Sequence, residues 1–220
     1  VFNSSQTPYA SCVYDPGSGK VLVCYRNGST NGQAKVGTVS GTSISFGSAA
    51  TYYSGNNTSI APVIDTANNK LVVAYRDLAD SDKCKAVVGT VSGTSLSFGT
   101  PVTVHPQGIQ FTTAAYDSNA GKVVVSFEDM HNNNRYGTSY AGTVSGDSIT
   151  FGSARVWNPA QTTYLSSIYD SNSKRVVIAY NDGGNTNNGT AVVFRNAYTD
   201  SNLTATNYIG IAAESISDGA

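Results

Sequence analysis

Residues 113–127 read TAAYDSNAGKVVVSF, two apolar runs joined by a turn that begins at Asp117. The same pattern occurs four times along the chain, and its aspartates, Asp15, Asp65, Asp117 and Asp170, are 50, 52 and 53 residues apart. Each aspartate is followed by a turn and by an apolar run that opens with lysine or arginine. A period of this length indicates a repeat architecture in which each repeat is one supersecondary unit.

Three of the four repeats continue with two further runs joined by a Ser-Gly turn. These runs are 36–40 with 43–46, 87–92 with 95–98, and 140–145 with 148–151. They are rich in β-branched and aromatic residues and bounded by Gly, Asn and Asp, which is typical of strands and hairpins. We therefore predict four antiparallel strands, A to D, in each repeat of about 52 residues.

The second strand of each repeat is apolar on both faces, as residues 123–127 illustrate. A strand of this kind must be covered on both sides. Blades that pack face to face around an axis provide that cover. The sequence therefore predicts an all-β fold, a four-bladed β-propeller of four-stranded antiparallel repeats. A β-sandwich and an open β-solenoid are the competing architectures.

The repeat pattern changes at both ends of the chain. Residues 1–3 align with 51–53, the end of a D strand, so the N-terminal segment 1–6 is predicted to complete a blade. The fourth repeat has no Ser-Gly hairpin after Phe194. We predict a propeller over residues 1–196 and a closing strand or a linker over 197–220. The predicted blades cover about 7–54, 58–105, 110–158 and 162–196.

Composition excludes several kinds of partner. The formal net charge is -1 and the pI is near 6.1, so a basic surface for nucleic acid is not expected. No apolar run is long enough to cross a bilayer, so membrane insertion is not expected either. The three cysteines cannot all pair with one another, and a disulfide framework is not predicted.

Two sets of connections differ in character. The A–B and C–D turns are short and uniform, whereas the B–C and D–A connections are longer and differ between repeats. The second set would lie together on one face, which we call the loop face. Variable loops on a repetitive frame are common binding sites. The predicted ligand-binding residues on this face are Arg26, Tyr53, Arg76, Asp77, His105, Glu128, His131, Trp157 and Asp182.

The residue types of the loop face suit a sugar. Asn, Asp and Arg can bind sugar hydroxyls, and Tyr and Trp can stack on sugar rings, so the predicted partner is a glycan or a cell-surface receptor. The alternative is that these Asn-rich loops are solvated turns that bind no ligand. On the binding hypothesis, alanine at Trp157, Tyr53 or Arg76 is expected to weaken binding and to leave the melting temperature nearly unchanged.

Catalytic signatures are sparse. The sequence has no His-Glu-x-x-His, no Gly-x-Ser-x-Gly and no phosphate loop, so we predict no catalytic residue, no metal and no cofactor, and a protein that is not an enzyme. The carboxylates Glu128, Asp129, Asp77 and Asp182 could serve a glycosidase. These residues are interpreted more simply as caps of the B–C loop backbone, and we prefer this interpretation.

One phrase links the chain to a known class of repeats. It reads GTVSGTSISFG at 37–47, recurs nearly unchanged at 89–99, and recurs with two changes at 142–152. It resembles tandem repeats of tail-fibre-like proteins of environmental bacteriophages and of bacterial surface proteins, as does the exit segment 202–211. The resemblance implies a binding module on a cell or virion surface, and it carries over no catalytic residue.

Two further expectations remain open. The predicted propeller could instead be a structural subunit of a fibre that assembles with other copies through its termini, without a small ligand. Glycosylation is possible only if a eukaryotic secretory pathway makes the chain. The acceptor sequences for it begin at Asn3, Asn27, Asn56, Asn57, Asn188 and Asn202.

Overall fold

A computed structural model describes residues 1–131 and 135–194. In this part of the chain the regular structure is β-strand, apart from one 3₁₀ turn at Gly183–Asn185. The all-β prediction is confirmed. The predicted segment 197–220 and Asn202 lie outside the described residues.

The strands fall into four sequence-consecutive units that follow the repeats. The first unit contains β1 (Tyr9–Asp15), β2 (Lys20–Arg26), β3 (Gly32–Ser40), β4 (Ser43–Phe46) and β5 (Ala50–Tyr53). The second contains β6 (Asn57–Asp65), β7 (Lys70–Asp77), β8 (Lys83–Ser92), β9 (Ser95–Phe98) and the start of β10 (Val102–Asp117). The third contains the rest of β10, β11 (Lys122–Asp129), β12 (Tyr136–Ser145), β13 (Ser148–Phe151) and the start of β14 (Arg155–Asp170). The fourth contains the rest of β14, β15 (Arg175–Asp182) and β16 (Asn188–Phe194).

Neighbouring strands within each unit are antiparallel, and the innermost strands share one register. The residue before each turn aspartate faces the same position of the next strand in every unit. The pairs are Tyr14 with Val21, Ile64 with Leu71, Tyr116 with Val123, and Tyr169 with Val176.

The outer edge of a unit differs from the expectation. The predicted D strand is split into two segments: β4 pairs with the end of β3 and β5 with its start. In the second and third units the predicted D–A loops, 105–110 and 157–163, are not loops. The chain runs through them as the continuous strands β10 and β14, because register shifts let one strand serve two neighbouring units.

The core lies between units. The B strands β7 and β11 are buried on both faces, as predicted, with every residue of 71–75 at 0% exposure. Three hydrophobic clusters join side chains of successive units. The fourth unit departs from this pattern, because Ala179 and Val193 are exposed on a face that no described unit covers.

The recurring glycine-rich phrase packs one unit against the next. A Cβ atom on Gly47 would lie 2.0 Å from the carbonyl oxygen of Thr94, in the C–D turn of the second unit. A Cβ on Gly99 would lie equally close, 2.0 Å, to the carbonyl oxygen of Asp147 in the third unit. The last glycine of the phrase is therefore required by contact between backbones.

The N-terminal segment takes the place of a D strand. The ring of Phe2 lies 5.1 Å from that of Tyr25 and 6.0 Å from that of Phe46 in the first unit. Tyr52, its aligned counterpart, packs in the same way on the second unit, 5.6 Å from Tyr75 and 5.8 Å from Phe98. Residues 1–3 thus lie on the first unit as the outer edge of a preceding unit would.

The units follow one another around a common axis. Strand β1 packs beside β6, β6 beside β10, and β10 beside β14. Within residues 1–131 and 135–194, β14 and β1 lack a comparable contact, so the described sheets do not form a closed ring. The same residues contain no helix long and apolar enough to cross a membrane.

Candidate functional site

Each B–C loop begins with a side chain that caps its own backbone. The Oδ1 atoms of Asn27, Asp77, Asp129 and Asp182 accept a hydrogen bond from the backbone N–H two residues later, at 3.0 Å in every unit. This is the Asx turn that aspartate and asparagine form at loop starts. The capping interpretation of these carboxylates agrees with the geometry.

Three of these caps also join neighbouring units. The side chain at the end of one D strand contacts the aspartate of the next unit, and we call each such pair a clasp. The Tyr53 hydroxyl donates to Asp77 Oδ1 at 2.6 Å, His105 Nε2 lies 3.2 Å from Asp129 Oδ1, and Asn158 Nδ2 donates to Asp182 Oδ1 at 3.1 Å. Tyr53, Asp77, His105 and Asp182, all predicted site residues, are therefore held in inter-unit contacts.

The predicted residues of the second unit are tied into a network of charges. Arg76 Nη2 is 3.0 Å from Asp82 Oδ2, and Lys85 Nζ is 2.9 Å from both Asp77 Oδ2 and Asp80 Oδ2. Hydrogen bonds from Lys83 and Lys85 lower the pKa of Asp80 to about 2. The carboxylates of this loop thus face ammonium or guanidinium groups. Within the described part of the chain, no cluster of three or more His, Cys, Asp or Glu side chains could hold a metal ion.

Partial burial makes the phenol of Tyr53 harder to ionise than that of a free tyrosine, which is already protonated at neutral pH. Desolvation raises its pKa to about 12, and the hydrogen bond to Asp77 adds to this. A hydroxyl with so high a pKa stays protonated and donates to Asp77. Tyr53 therefore acts as a structural donor.

Trp157 belongs to the core. It is 5% exposed, its Nε1 donates to Ser139 Oγ at 2.8 Å, and its ring lies over Gly137, where a Cβ atom would be 2.6 Å from Cη2. In the first unit Tyr52 covers Gly32 in the same manner. The expectation that alanine at Trp157 leaves the melting temperature unchanged is not compatible with this packing.

Arg26 and His131 are two further members of the predicted set. The Arg26 guanidinium lies 4.8 Å from the centre of the Tyr9 ring, and its Nη1 donates to Asn56 Oδ1 at 2.6 Å. His131 is exposed at the start of a B–C loop. The nine predicted residues, Glu128 included, are spread over all four units.

The sequons differ in accessibility. Asn57 is 0% exposed, its Oδ1 accepts from the Tyr52 hydroxyl, and its Nδ2 donates to the carbonyl oxygens of Thr30 and Gly55. Asn57 cannot carry a glycan in this fold. Asn188 is exposed, and Asn3, Asn27 and Asn56 are partly exposed.

The clasp of the third unit predicts a pH dependence. Burial lowers the pKa of His105, although the nearby Asp129 opposes this shift. The unfolded chain therefore takes up the His105 proton first as the pH falls through about 6.5, and the free energy of unfolding decreases there. His105→Asn, which copies Asn158 of the next clasp, should lose this component.

The urea midpoint of each protein is measured at about pH 7.5 and at about pH 5, and the change in midpoint between the two pH values is compared between the variant and the wild type. Burial raises the pKa of Glu128, which acts with the opposite sign, so only the difference isolates His105. Identical pH slopes for the variant and the wild type would show that His105 does not carry the effect.

A β-bulge near the start of the inner strand distinguishes the last three units. In β6, β10 and β14 one extra residue interrupts the pairing with the next strand, whereas β1 pairs without a break. The bulge residues Ser59, Phe111 and Tyr164 have φ of +49°, +49° and +53°. A bulky residue in this region is strained, and such strain concentrates at functional sites.

The bulges of the third and fourth units present an aromatic pair on the loop face. The rings of Phe111 and Tyr164 are 4.8 Å apart, tilted by 52°, and Tyr164 is 76% exposed. Bulges next to binding sites re-aim side chains in this way. Sequence reasoning missed both residues. The spacing to the turn aspartate gives no signal, because Tyr9, Ser59, Phe111 and Tyr164 all lie six residues before it.

A charged group lies at the same junction between units. Arg135 Nη2 is 2.8 Å from Glu128 Oε2 and 3.1 Å from Gln110 Oε1, and the Arg135 carbonyl accepts from the Thr162 N–H at 3.1 Å. Gln110 precedes Phe111, and Thr162 is two residues before Tyr164, so the aromatic pair and the guanidinium share one junction between units. We call Gln110, Phe111, Glu128, Arg135 and Tyr164 the junction site.

The chemistry of the junction site suits an anionic or a polar ligand. Glu128 is 0% exposed, and its Oε1 has no hydrogen-bond partner among the described residues. The Arg135 side chain is 35% exposed and covers this carboxylate. A guanidinium has five N–H donors in a planar fork, and both described side-chain contacts use only Nη2.

Comparison with known proteins gives the fold a context. No family model and no curated protein sequence matches the chain. A solved structure of a leech intramolecular trans-sialidase, in complex with 2,7-anhydro-Neu5Ac prepared by soaking with 3'-sialyllactose, is similar over 84% of this chain, with a TM-score of 0.56 and 13% sequence identity. The fold is that of a β-propeller. This chain covers 30% of the length of the leech enzyme.

A second structure, the Hadza microbial sialidase Hz136, matches 84% of this chain at 13% identity, with a TM-score of 0.47, and this chain covers 43% of its length. The prediction that the chain is not an enzyme is wrong, because the leech protein that shares the fold is an enzyme. At 13% identity the likeness shows the fold and assigns no activity to this chain.

Proposed function

We propose that this chain is a carbohydrate-recognition propeller that binds acidic sugars at the junction site. The observation that carries the proposal is the pair of strained bulges that bring the rings of Phe111 and Tyr164 into contact at the junction that also holds Arg135, with Tyr164 76% exposed. Aromatic rings bind the apolar face of a sugar, and a guanidinium pairs with a carboxylate in a bidentate manner.

The charge arrangement supports an acidic sugar over a neutral one. Arg135 is anchored from behind by the buried carboxylate of Glu128 and by Gln110, so its planar group is held in place before a ligand arrives. A pre-organised group loses little freedom on binding. The leech enzyme was solved with 2,7-anhydro-Neu5Ac, a sugar that bears a carboxylate. The shared fold makes this ligand class the natural one to test.

The test compares 3'-sialyllactose with lactose by titration. The wild type should bind the sialylated sugar and discriminate against the neutral one. Tyr164→Ala should weaken this binding by about tenfold or more, because an exposed aromatic anchor is lost at a cost of about 1.4 kcal/mol per factor of ten. Its effect on the free energy of unfolding should stay within about 0.5 kcal/mol, since the ring is exposed.

Two variants sharpen this test. Arg135→Lys keeps the charge beside Glu128 but lacks the planar fork, so it should reduce the preference for the acidic sugar. Tyr9→Ala is the matched control, because Tyr9 is an exposed aromatic at the same end of β1, where no bulge occurs. Equal affinity for lactose and 3'-sialyllactose, or equal losses in Tyr164→Ala and Tyr9→Ala, would contradict the proposal.

We also propose that the four units close into a four-bladed ring. The support is the position of Phe2, which packs on the first unit as Tyr52 packs on the second. In a closed ring, residues 1–3 would be the outer edge of the fourth blade, and the exposed face at Ala179 would be covered. A crystal structure with the first and fourth units apart would overturn this proposal.

The location of the protein is a separate proposal. The resemblance of the 37–47 phrase to tail-fibre-like and bacterial surface repeats supports a place on a virion or cell exterior. Immunogold labelling of the source particles or cells would test it. Labelling confined to the cell interior would be the contrary result.

A further inference from the structure

Glu128 is a buried carboxylate that has a hydrogen-bond donor at only one of its two oxygens. Its side chain is 0% exposed, and its Oε2 accepts from Arg135 Nη2 at 2.8 Å, whereas its Oε1 has no partner among the described residues. A buried charge is costly unless hydrogen bonds replace the lost water. The negative charge of Glu128 therefore depends on a single guanidinium.

A second buried carboxylate of the loop face is supported by more donors. Asp77 is also 0% exposed, but its Oδ1 accepts from the Tyr53 hydroxyl at 2.6 Å and from the Ala79 N–H at 3.0 Å. Its Oδ2 lies 2.9 Å from Lys85 Nζ. Each oxygen of Asp77 thus faces a donor, and burial alone does not explain the free oxygen of Glu128.

The other acids at the starts of the third and fourth B–C loops have their own partners. Asp129 and Asp182 are engaged in the clasps of their units. The residue opposite Glu128 on β10 is Gln110, which is uncharged. Burial raises the pKa of Glu128, and the Arg135 guanidinium opposes this rise. Arg135 is thus the group that keeps Glu128 ionised.

An acidic ligand on Arg135 would divide this guanidinium between two carboxylates. Both described side-chain contacts of Arg135 use Nη2, and a guanidinium has further N–H donors for a ligand. Two carboxylates that share one site do not both stay ionised, so one of them takes up a proton. The ligand carboxylate is in contact with water and Glu128 is not, so the proton goes to Glu128.

Given the proposed function, we propose that Glu128 takes up one proton when an acidic sugar binds to Arg135. The proton comes from the solvent and is held on the free Oε1, while Oε2 continues to accept from Arg135 Nη2. No other covalent bond is made or broken. Glu128 is then a positioning residue that acts through Arg135, and it makes the junction site bind acidic sugars more tightly as the pH falls.

Calorimetric titration of the whole chain with 3'-sialyllactose tests this proton uptake. Titrations at one pH in buffers of different ionisation enthalpy give the number of protons that bind with the sugar. The wild type should take up a fraction of a proton, and at most one, per sugar. Because the complex binds more protons than the free protein, the affinity should rise by about tenfold as the pH falls from about 8 to about 5.

Glu128→Gln is the decisive variant, because glutamine has the same shape, is neutral at every pH and still offers an oxygen to Arg135. It should bind 3'-sialyllactose without proton uptake, and its affinity should change by less than about twofold over the same pH range. His105→Asn is the matched control. It removes a histidine that titrates in this range and leaves Glu128 in place, so it should keep the proton uptake of the wild type.

The outcomes distinguish the role of Glu128 from the proposed function. Sugar binding by the wild type without proton uptake, or equal uptake by the wild type and Glu128→Gln, would overturn the role of Glu128 and leave the acidic-sugar site standing. Absence of 3'-sialyllactose binding at every pH would overturn both. Circular dichroism checks that the variants are folded, and the buffer series on the wild type gives a result even if Glu128→Gln does not fold.

Discussion

Replacing Trp157 with alanine is expected to lower the free energy of unfolding by about 3–5 kcal/mol, the usual range for removal of a large buried aromatic side chain. The indole is 5% exposed and contacts Tyr180 edge-on, with ring centres 4.8 Å apart. Its position over Gly137 leaves no backbone atom able to fill the gap. The loss also leaves the Ser139 hydroxyl without the Nε1 donor.

Urea unfolding followed by far-UV circular dichroism measures this effect, since Trp157 is the only tryptophan and its fluorescence is lost with it. Trp157→Phe keeps a ring over Gly137 and should cost less, about 1–2 kcal/mol, mainly through the missing hydrogen bond and the smaller ring. A loss under about 1 kcal/mol for the alanine variant would place the indole on the accessible surface, as the sequence alone led us to expect.

Replacing Gly99 with alanine is expected to cost about 3 kcal/mol, at the upper end of the range for overpacking. The new methyl group would lie 2.0 Å from the carbonyl oxygen of Asp147, a backbone atom in the C–D turn of the third unit. The second and third units would have to move apart to accept it. Gly47→Ala should cost a similar free energy, because its methyl group would meet the carbonyl oxygen of Thr94.

Gly189→Ala is the matched control for this substitution. Gly189 lies in strand β16, no atom lies within 4 Å of a Cβ built on it, and its φ is not positive. Its replacement should change the unfolding free energy by no more than about 0.5 kcal/mol. If Gly99→Ala and Gly189→Ala cost the same, the close backbone contact between the units does not exist.

The repeat period predicted much of the fold. The turn aspartates determine where each inner strand ends, and the apolar runs after them form the strands buried on both faces, because both features are local. The course of β10 and β14 was not predictable in this way. Whether 105–110 is a loop or part of a strand depends on pairing with two other strands at once, which no local pattern records.

The candidate site was harder to predict than the fold. Tyr53 and His105 were expected to contact a ligand, yet they contact aspartates of the next unit, since the clasps join residues 24 positions apart. Trp157 was expected on the surface because it falls in a variable D–A connection, but its ring packs over Gly137. Phe111 and Tyr164 were not predicted, because the bulges that bring their rings into contact depend on pairing between strands.

A crystal structure of the chain soaked with 3'-sialyllactose would show directly whether the junction site binds an acidic sugar. We expect one sugar ring against Phe111 and Tyr164, with its carboxylate on the guanidinium of Arg135 and no change in the clasps. Sugar bound only at another part of the surface, or an empty junction site at saturating ligand, would contradict it.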